Sequence, residues 1–257
     1  MKPHERLSEA LGGDGVSVVP YLTGGFPDRG SFAGHLDALG AVSPALEVGI
    51  PFSDPMADGA TIQASSAKAL AGGATLEGVI ETLEERADAD LPLIVMSYLN
   101  PLLAFGPDRV MSRLAGAGVC ALVIPDLPLE EGGLVADAAA AAGLGLVQMV
   151  TPVTDSERRR SLCRASQGFV YAVTMTGTTG GALDESGVGS YLDELSEVAE
   201  VPVVAGCGVR TRHQVEALSE HCDGVIVGSA IVETIGSGGD PVALVEDLNK
   251  ANAASST

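Results

Sequence analysis

The sequence predicts a (β/α)8 TIM barrel with an extra N-terminal helix. Three observations lead there: eight short, nearly continuous apolar runs, spacers of helical period between them, and a length of 257 residues, which suits one such barrel. Parallel strands buried on both faces read as unbroken hydrophobic runs. Eight strand–helix repeats in a chain of this size favour a closed barrel over an open sheet. The whole chain, 1–257, is therefore expected to form a single domain.

The elements follow in order. The first dozen residues carry a helical pattern ahead of any strand, placed where a helix can plug the bottom of the barrel. Strands are expected at 16–22, 45–50, 92–98, 119–125, 144–150, 168–174, 202–208 and 223–229, where sequences such as VSVVPYL, PLIVMSY and DGVIVGS combine β-branched residues with near-continuous hydrophobicity. The intervening Ala-, Glu- and Leu-rich segments are long enough for crossover helices. No linker divides the chain, and nothing repeats beyond the strand–helix alternation.

Charge and cysteine content narrow the function. Fourteen basic residues face thirty-four acidic ones, a formal net charge of −20 that repels nucleic acid and anionic membrane surfaces. With no secretory signal and no membrane-length apolar run, the chain is expected to be cytoplasmic. Cys120, Cys163, Cys207 and Cys222 are scattered without zinc-type spacing and suit reduced thiols.

In such a barrel the chemistry sits at the carboxyl ends of the strands. His4, His35, His213 and His221 all fall in predicted helices or at their edges, which argues against a His-rich metal site. Lys2, Lys68 and Lys250 are the only lysines, and none ends a strand, so no residue offers an imine-forming mechanism. Carboxylates remain: Glu47 on strand two, Asp54 and Asp58 in its loop, and Asp126 past strand four. Glu47, between Leu46 and Val48, points either into the barrel or into the helix layer, and burial of its charge favours a raised pKa suited to acid/base work. A structural, hydrogen-bonded acid is the alternative. Asp58 equally suits a helix cap, and Asp126, before Leu127-Pro128, a turn.

Glycine-rich turns follow the last three strands: Thr176 to Gly181, Gly206-Cys207-Gly208, and Gly228-Ser229-Ala230. Backbone amides at a helix start can hold a phosphate without a lysine, and barrel enzymes often place such a site after strands seven and eight. Arg210 and Arg212 are expected on the solvated face of the next helix rather than on the anion.

The stretch LEVGIPFSDPMADGATIQ, from Leu46 to Gln63, resembles the signature of the tryptophan synthase alpha chain family. The resemblance continues through Ser97-Tyr98-Leu99-Asn100-Pro101, Pro125-Asp126-Leu127-Pro128, Gly168-Phe169-Val170-Tyr171, the Thr-Gly-Thr-Thr-Gly loop and Val227-Gly228-Ser229-Ala230-Ile231, covering nearly the whole chain in order. It implies retro-aldol cleavage of indole-3-glycerol phosphate to indole and glyceraldehyde 3-phosphate, in tryptophan biosynthesis, with no metal or organic cofactor. By the same resemblance Glu47 is the acid/base and Asp58 the carboxylate facing the indole N–H. Tyr21, Tyr98 and Tyr171 line the substrate cavity, Gly180, Gly208, Gly228 and Ser229 hold the phosphate, and 176–189 is a lid whose Thr179 positions Asp58. Asp54 and Pro55 are expected to face a tryptophan synthase beta chain, in an alpha2-beta2 heterotetramer.

Two positions and one stretch depart from the family pattern: Ala60 where proline is usual, Cys207 where a larger apolar residue is usual, and the apolar Leu102-Leu103-Ala104-Phe105. An alternative activity is a free-standing lyase that releases indole for another pathway. Further from it stand a noncatalytic regulatory subunit, against which the intact acid pair argues, and a related phosphate-binding isomerase.

Overall fold

The computed structural model of the chain describes residues 1–13, 15–86, 90–174, 185–206 and 208–251. Helix α1 (Pro3–Leu11) precedes strand β1 (Ser17–Thr23). Seven strands follow: β2 (Leu46–Gly49), β3 (Leu93–Met96), β4 (Val119–Val123), β5 (Gly145–Val150), β6 (Val170–Val173), β7 (Val203–Gly206) and β8 (Gly224–Val227). Each pairs in parallel with the next, and β8 pairs with β1, which closes the expected eight-stranded barrel.

The outer layer is built from α2 (Arg29–Gly40), α3 (Ala60–Ala71), α4 (Leu76–Glu84), α5 (Leu99–Phe105), α6 (Pro107–Gly116), a 3-10 turn (Leu129–Leu134), α7 (Ala136–Ala142), α8 (Ser156–Ala165), α9 (Glu185–Ser196) and α10 (Arg212–Leu218). After β8 come α11 (Ser229–Gly236) and α12 (Pro241–Asn249). Side-chain caps start several of these: Asp28 accepts from the Ser31 N–H, Thr75 from Gly78, Asp155 from Arg158, and Thr211 forms a reciprocal box with Gln214. Such caps satisfy N–H groups that have no partner within the helix.

Every residue of β2, β4, β7 and β8 is buried, because helices cover the outside of the barrel and side chains fill the inside. Several strands are shorter than the apolar runs that announced them. Ala45 and Ile50 are buried beside β2 without belonging to it, and Ser229, expected at the end of the last strand, opens α11. Hydrophobicity marks burial, and burial continues after the ladder hydrogen bonds stop.

Helix α1 occupies the amino-terminal end, as expected of a plug. Leu7 and Leu11 are fully buried. The Ser8 hydroxyl donates to the Gly168 carbonyl at 2.7 Å, and the His4 ring lies 3.2 Å from the Gly143 carbonyl, which ties the helix to the entrances of β6 and β5. Among the described residues no helix is long and apolar enough to cross a membrane.

Candidate active site

The direction of Glu47 is settled by its neighbours. Leu46 lines a cavity of about 270 Å³ under the helix layer, together with Leu36 of α2, Leu83 of α4 and Leu93. Successive side chains of a strand point to opposite faces, so Glu47 points inward. Tyr21 of β1 and Ile94 of β3 stand beside it in register. Glu47 is only 1 % exposed, and its Oε1 has no hydrogen-bond partner among the described residues. Burial first, and then the nearby Asp58 charge, push its pKa up to about 8. At neutral pH this carboxyl keeps its proton.

Asp58 comes from the loop between β2 and α3. It does not cap the helix: Gly59 is the cap residue and supplies no side-chain bond. Tyr98, just past β3, anchors this loop instead. Its hydroxyl accepts the Ala57 N–H at 2.8 Å and hydrogen-bonds the Asp58 carboxylate, while its ring stacks on Phe52 with centroids 5.2 Å apart. Gln63 adds a clamp from α3, donating to the Asp58 carbonyl at 2.8 Å. Burial raises the Asp58 pKa to about 6, against the lowering effect of the Tyr98 bond. Two carboxyls of the mouth thus differ in protonation near neutrality, one a proton donor and the other an anion. Asp54 is exposed on the outer side of the loop.

Two glycines make the cavity wall possible. A Cβ on Gly49 would lie 1.9 Å from the Tyr21 hydroxyl oxygen, and one on Gly206 would lie 2.3 Å from the Tyr171 ring. Each tyrosine end approaches a bare backbone where any side chain would collide with it. Asp126 serves structure: its Oδ1 accepts the Leu99 N–H at 2.9 Å and so joins the loop after β4 to the start of α5.

In the loop after β7, Gly208 has a φ of +97°, a conformation that excludes most side chains. Gly228 precedes α11 and provides no side-chain cap. The first N–H groups of that helix, beginning at Ser229, have no partner within the helix and carry the positive end of its dipole. Among the described residues no group of three or more His, Cys, Asp or Glu is placed to hold a metal ion.

A family model described as "Tryptophan synthase alpha chain" matches residues 8–255. The chain belongs to the tryptophan synthase alpha chain family. A tryptophan synthase alpha chain of Bacillus mycoides (strain KBAB4) is 40% identical over 239 residues, 90% of this chain and 91% of that one. Tryptophan synthase subunit alpha of Legionella pneumophila superposes with a TM-score of 0.88 at 27% identity, covering 99% of both chains. Tryptophan synthase of M. tuberculosis, in an aminoacrylate-bound form, gives 0.86 at 31% identity, covering 96% of this chain and 98% of that one.

Of the site residues expected for a tryptophan synthase alpha chain, Glu47, Asp58, Tyr21 and Tyr98 form one electrostatically coupled group. Tyr171 stands on β6, Gly208 and Gly228 after β7 and β8, and Ser229 at the start of α11. Thr179, Gly180 and Cys207 lie outside the described residues, as does 176–184 of the expected lid; the rest of it falls in α9. Arg212 opens α10 and pairs with Glu216, as expected of the solvated face of that helix; Arg210 instead lies ahead of the Thr211 cap, where it pairs with Glu233 of α11. Sequence reading missed Gln63, Phe52 and the two tyrosine–glycine contacts. Gly49 alone carried a signal, since a glycine inside an apolar strand often marks a close approach.

Proposed function

We propose that this chain cleaves indole-3-glycerol phosphate to indole and glyceraldehyde 3-phosphate, as the cytoplasmic alpha component of a tryptophan synthase. The observation that carries the reading is Glu47: an inward, buried carboxyl whose Oε1 has no partner among the described residues and whose pKa is raised to about 8, next to an anionic Asp58. The protonated Glu47 delivers its proton to indole C3, and the ring acquires positive charge at its nitrogen. The Asp58 carboxylate stabilises that charge. The resulting Glu47 carboxylate takes the proton of the glycerol hydroxyl next to the ring. The carbon–carbon bond breaks, its electron pair restores the neutral indole, and the released carbon becomes the aldehyde. Glu47 ends as it began, protonated.

The phosphate fits the uncapped start of α11 and the Gly208 turn, where dipole and N–H groups replace a cationic side chain. Ser229→Asp puts a like charge in the first turn of α11. It is expected to raise the Michaelis constant about tenfold or more, and an unchanged constant contradicts this anion site.

A beta chain partner is supported by where apolar surface is left bare. Beyond Met1, the exposed large hydrophobics among the described residues are Met56, Leu103, Leu134 and Val153, at 73%, 39%, 48% and 80%. They lie in the segments after β2, β3, β4 and β5 respectively. The bare residues thus occupy one half of the rim, opposite the phosphate loops, where a partner receiving indole can seat. In the apolar stretch 102–105, Leu102 enters the core and Leu103 faces out.

Incubating the purified chain with indole-3-glycerol phosphate, with and without a beta chain, tests both parts. Indole should appear in both reactions and faster with the partner. No indole in either overturns the activity, and equal rates in both overturn the partnership.

A further inference from the structure

Glu233 lies one turn into α11 and joins three segments of the mouth. Its Oε1 accepts from the Thr61 hydroxyl at 2.8 Å, and its other oxygen pairs with the Arg210 guanidinium. Thr61 stands in the first turn of α3, three residues after Asp58. Arg210 stands two residues after Gly208, and Ser229 opens the helix that carries Glu233 itself. Arg210 first, with Thr61 adding to it, holds the Glu233 carboxyl below the usual range, so it is an anion engaged on both sides.

The entry to α3 needs outside support, because Gly59 gives it no side-chain cap. Tyr98 holds the loop at Ala57 and Asp58, and Gln63 holds it from within α3. Thr61 to Glu233 is the contact that ties this entry to the phosphate side of the barrel, and α11 packs directly on α3 and β1.

We propose that Glu233 is a positioning residue that couples the phosphate-gripping loops after β7 and β8 to the segment carrying Asp58. When a phosphate engages the start of α11, the helix, Glu233 and Thr61 move as one strut, and Asp58 is held where the indole nitrogen arrives. The strut rests on the function proposed above. Both Arg210 and Glu233 are about half exposed, and exposed pairs add little to stability. Its loss should therefore appear in rate rather than in melting.

The test compares Thr61→Val, Glu233→Ala, Glu233→Gln and the Thr61→Val/Glu233→Ala double variant in cleavage of indole-3-glycerol phosphate. Misplacement by 1 Å can cost about 10²-fold in rate; with two other anchors left, Thr61→Val and Glu233→Ala are each expected to lower kcat about five- to tenfold. The Michaelis constant should not rise and the melting temperature should not change. The double variant should be no worse than Glu233→Ala alone, since that substitution already removes the link that Thr61→Val breaks. Glu233→Gln keeps an oxygen for Thr61 and should restore most of the rate. The acid limb of the rate profile, set by Asp58, should move to lower pH in Glu233→Ala as Asp58 becomes less buried. Wild-type kcat in both single variants, losses that multiply in the double, or losses that follow a falling melting temperature overturn the strut and leave the function standing. A wild-type chain that forms no indole overturns the function, and the strut with it.

Discussion

Glu47→Gln is expected to lower the rate of indole formation by about 10²- to 10⁴-fold, the usual contribution of a positioned acid/base, while substrate affinity changes little. Glutamine matches the glutamate in size and preserves the packing against Tyr21 and Ile94. It has no proton to give to C3 and cannot take one from the hydroxyl. Steady-state rates of indole release measure the effect, and wild-type turnover would remove Glu47 from the chemistry.

The same substitution should alter stability in a defined pH window. The folded-state pKa of Glu47 is raised to about 8 from an ordinary 4.5, so the folded chain holds a proton that the unfolded chain releases. The stability this lends is full below about 4.5 and is lost as pH rises through about 8. Glu47→Gln has no such loss. Its melting temperature relative to wild type should climb across that window and level off on both sides, and a constant difference would contradict the raised pKa.

Asp58→Asn is expected to cost about 10²- to 10³-fold in kcat, comparable to removing a group aimed at developing charge. A neutral amide cannot balance a ring that turns positive at nitrogen. The pH profile sharpens the test, because wild-type kcat/KM should rise as Asp58 ionises near 6 and fall as Glu47 loses its proton near 8. In Asp58→Asn the acid limb disappears. The alkaline limb moves to lower pH, since the Asp58 charge is one of the two causes that raise Glu47. A profile with both limbs unmoved would show that other groups titrate.

The barrel was legible because its strands are buried on both sides and so spell out unbroken apolar runs, while long spacers forced parallel crossovers. Ends were less legible: the run at 223–229 continues past Val227 into α11, since burial outlasts strand pairing. Glu47 was legible as an anomaly, a charge among hydrophobic residues, but its direction was not. That required Leu46 to be seen against the helix layer. Asp58 read equally well as a helix cap until Tyr98 was found holding its loop. The link from Thr61 to Glu233 joins residues 172 positions apart, and no local pattern in either segment announces it. Asp126 was legible as a turn residue, and it sits in the turn closed by the Leu127 N–H on the Ile124 carbonyl; its bond to the Leu99 N–H was not legible.

Carbon-13 NMR of labelled glutamate carboxyls, with the Glu47 signal assigned by its absence in Glu47→Gln, reports the proton on which the mechanism depends. The result expected is a carboxyl still protonated at neutral pH that titrates at about 8. A Glu47 signal that titrates at the ordinary glutamate value of 4.5 would contradict a buried proton donor at the barrel mouth.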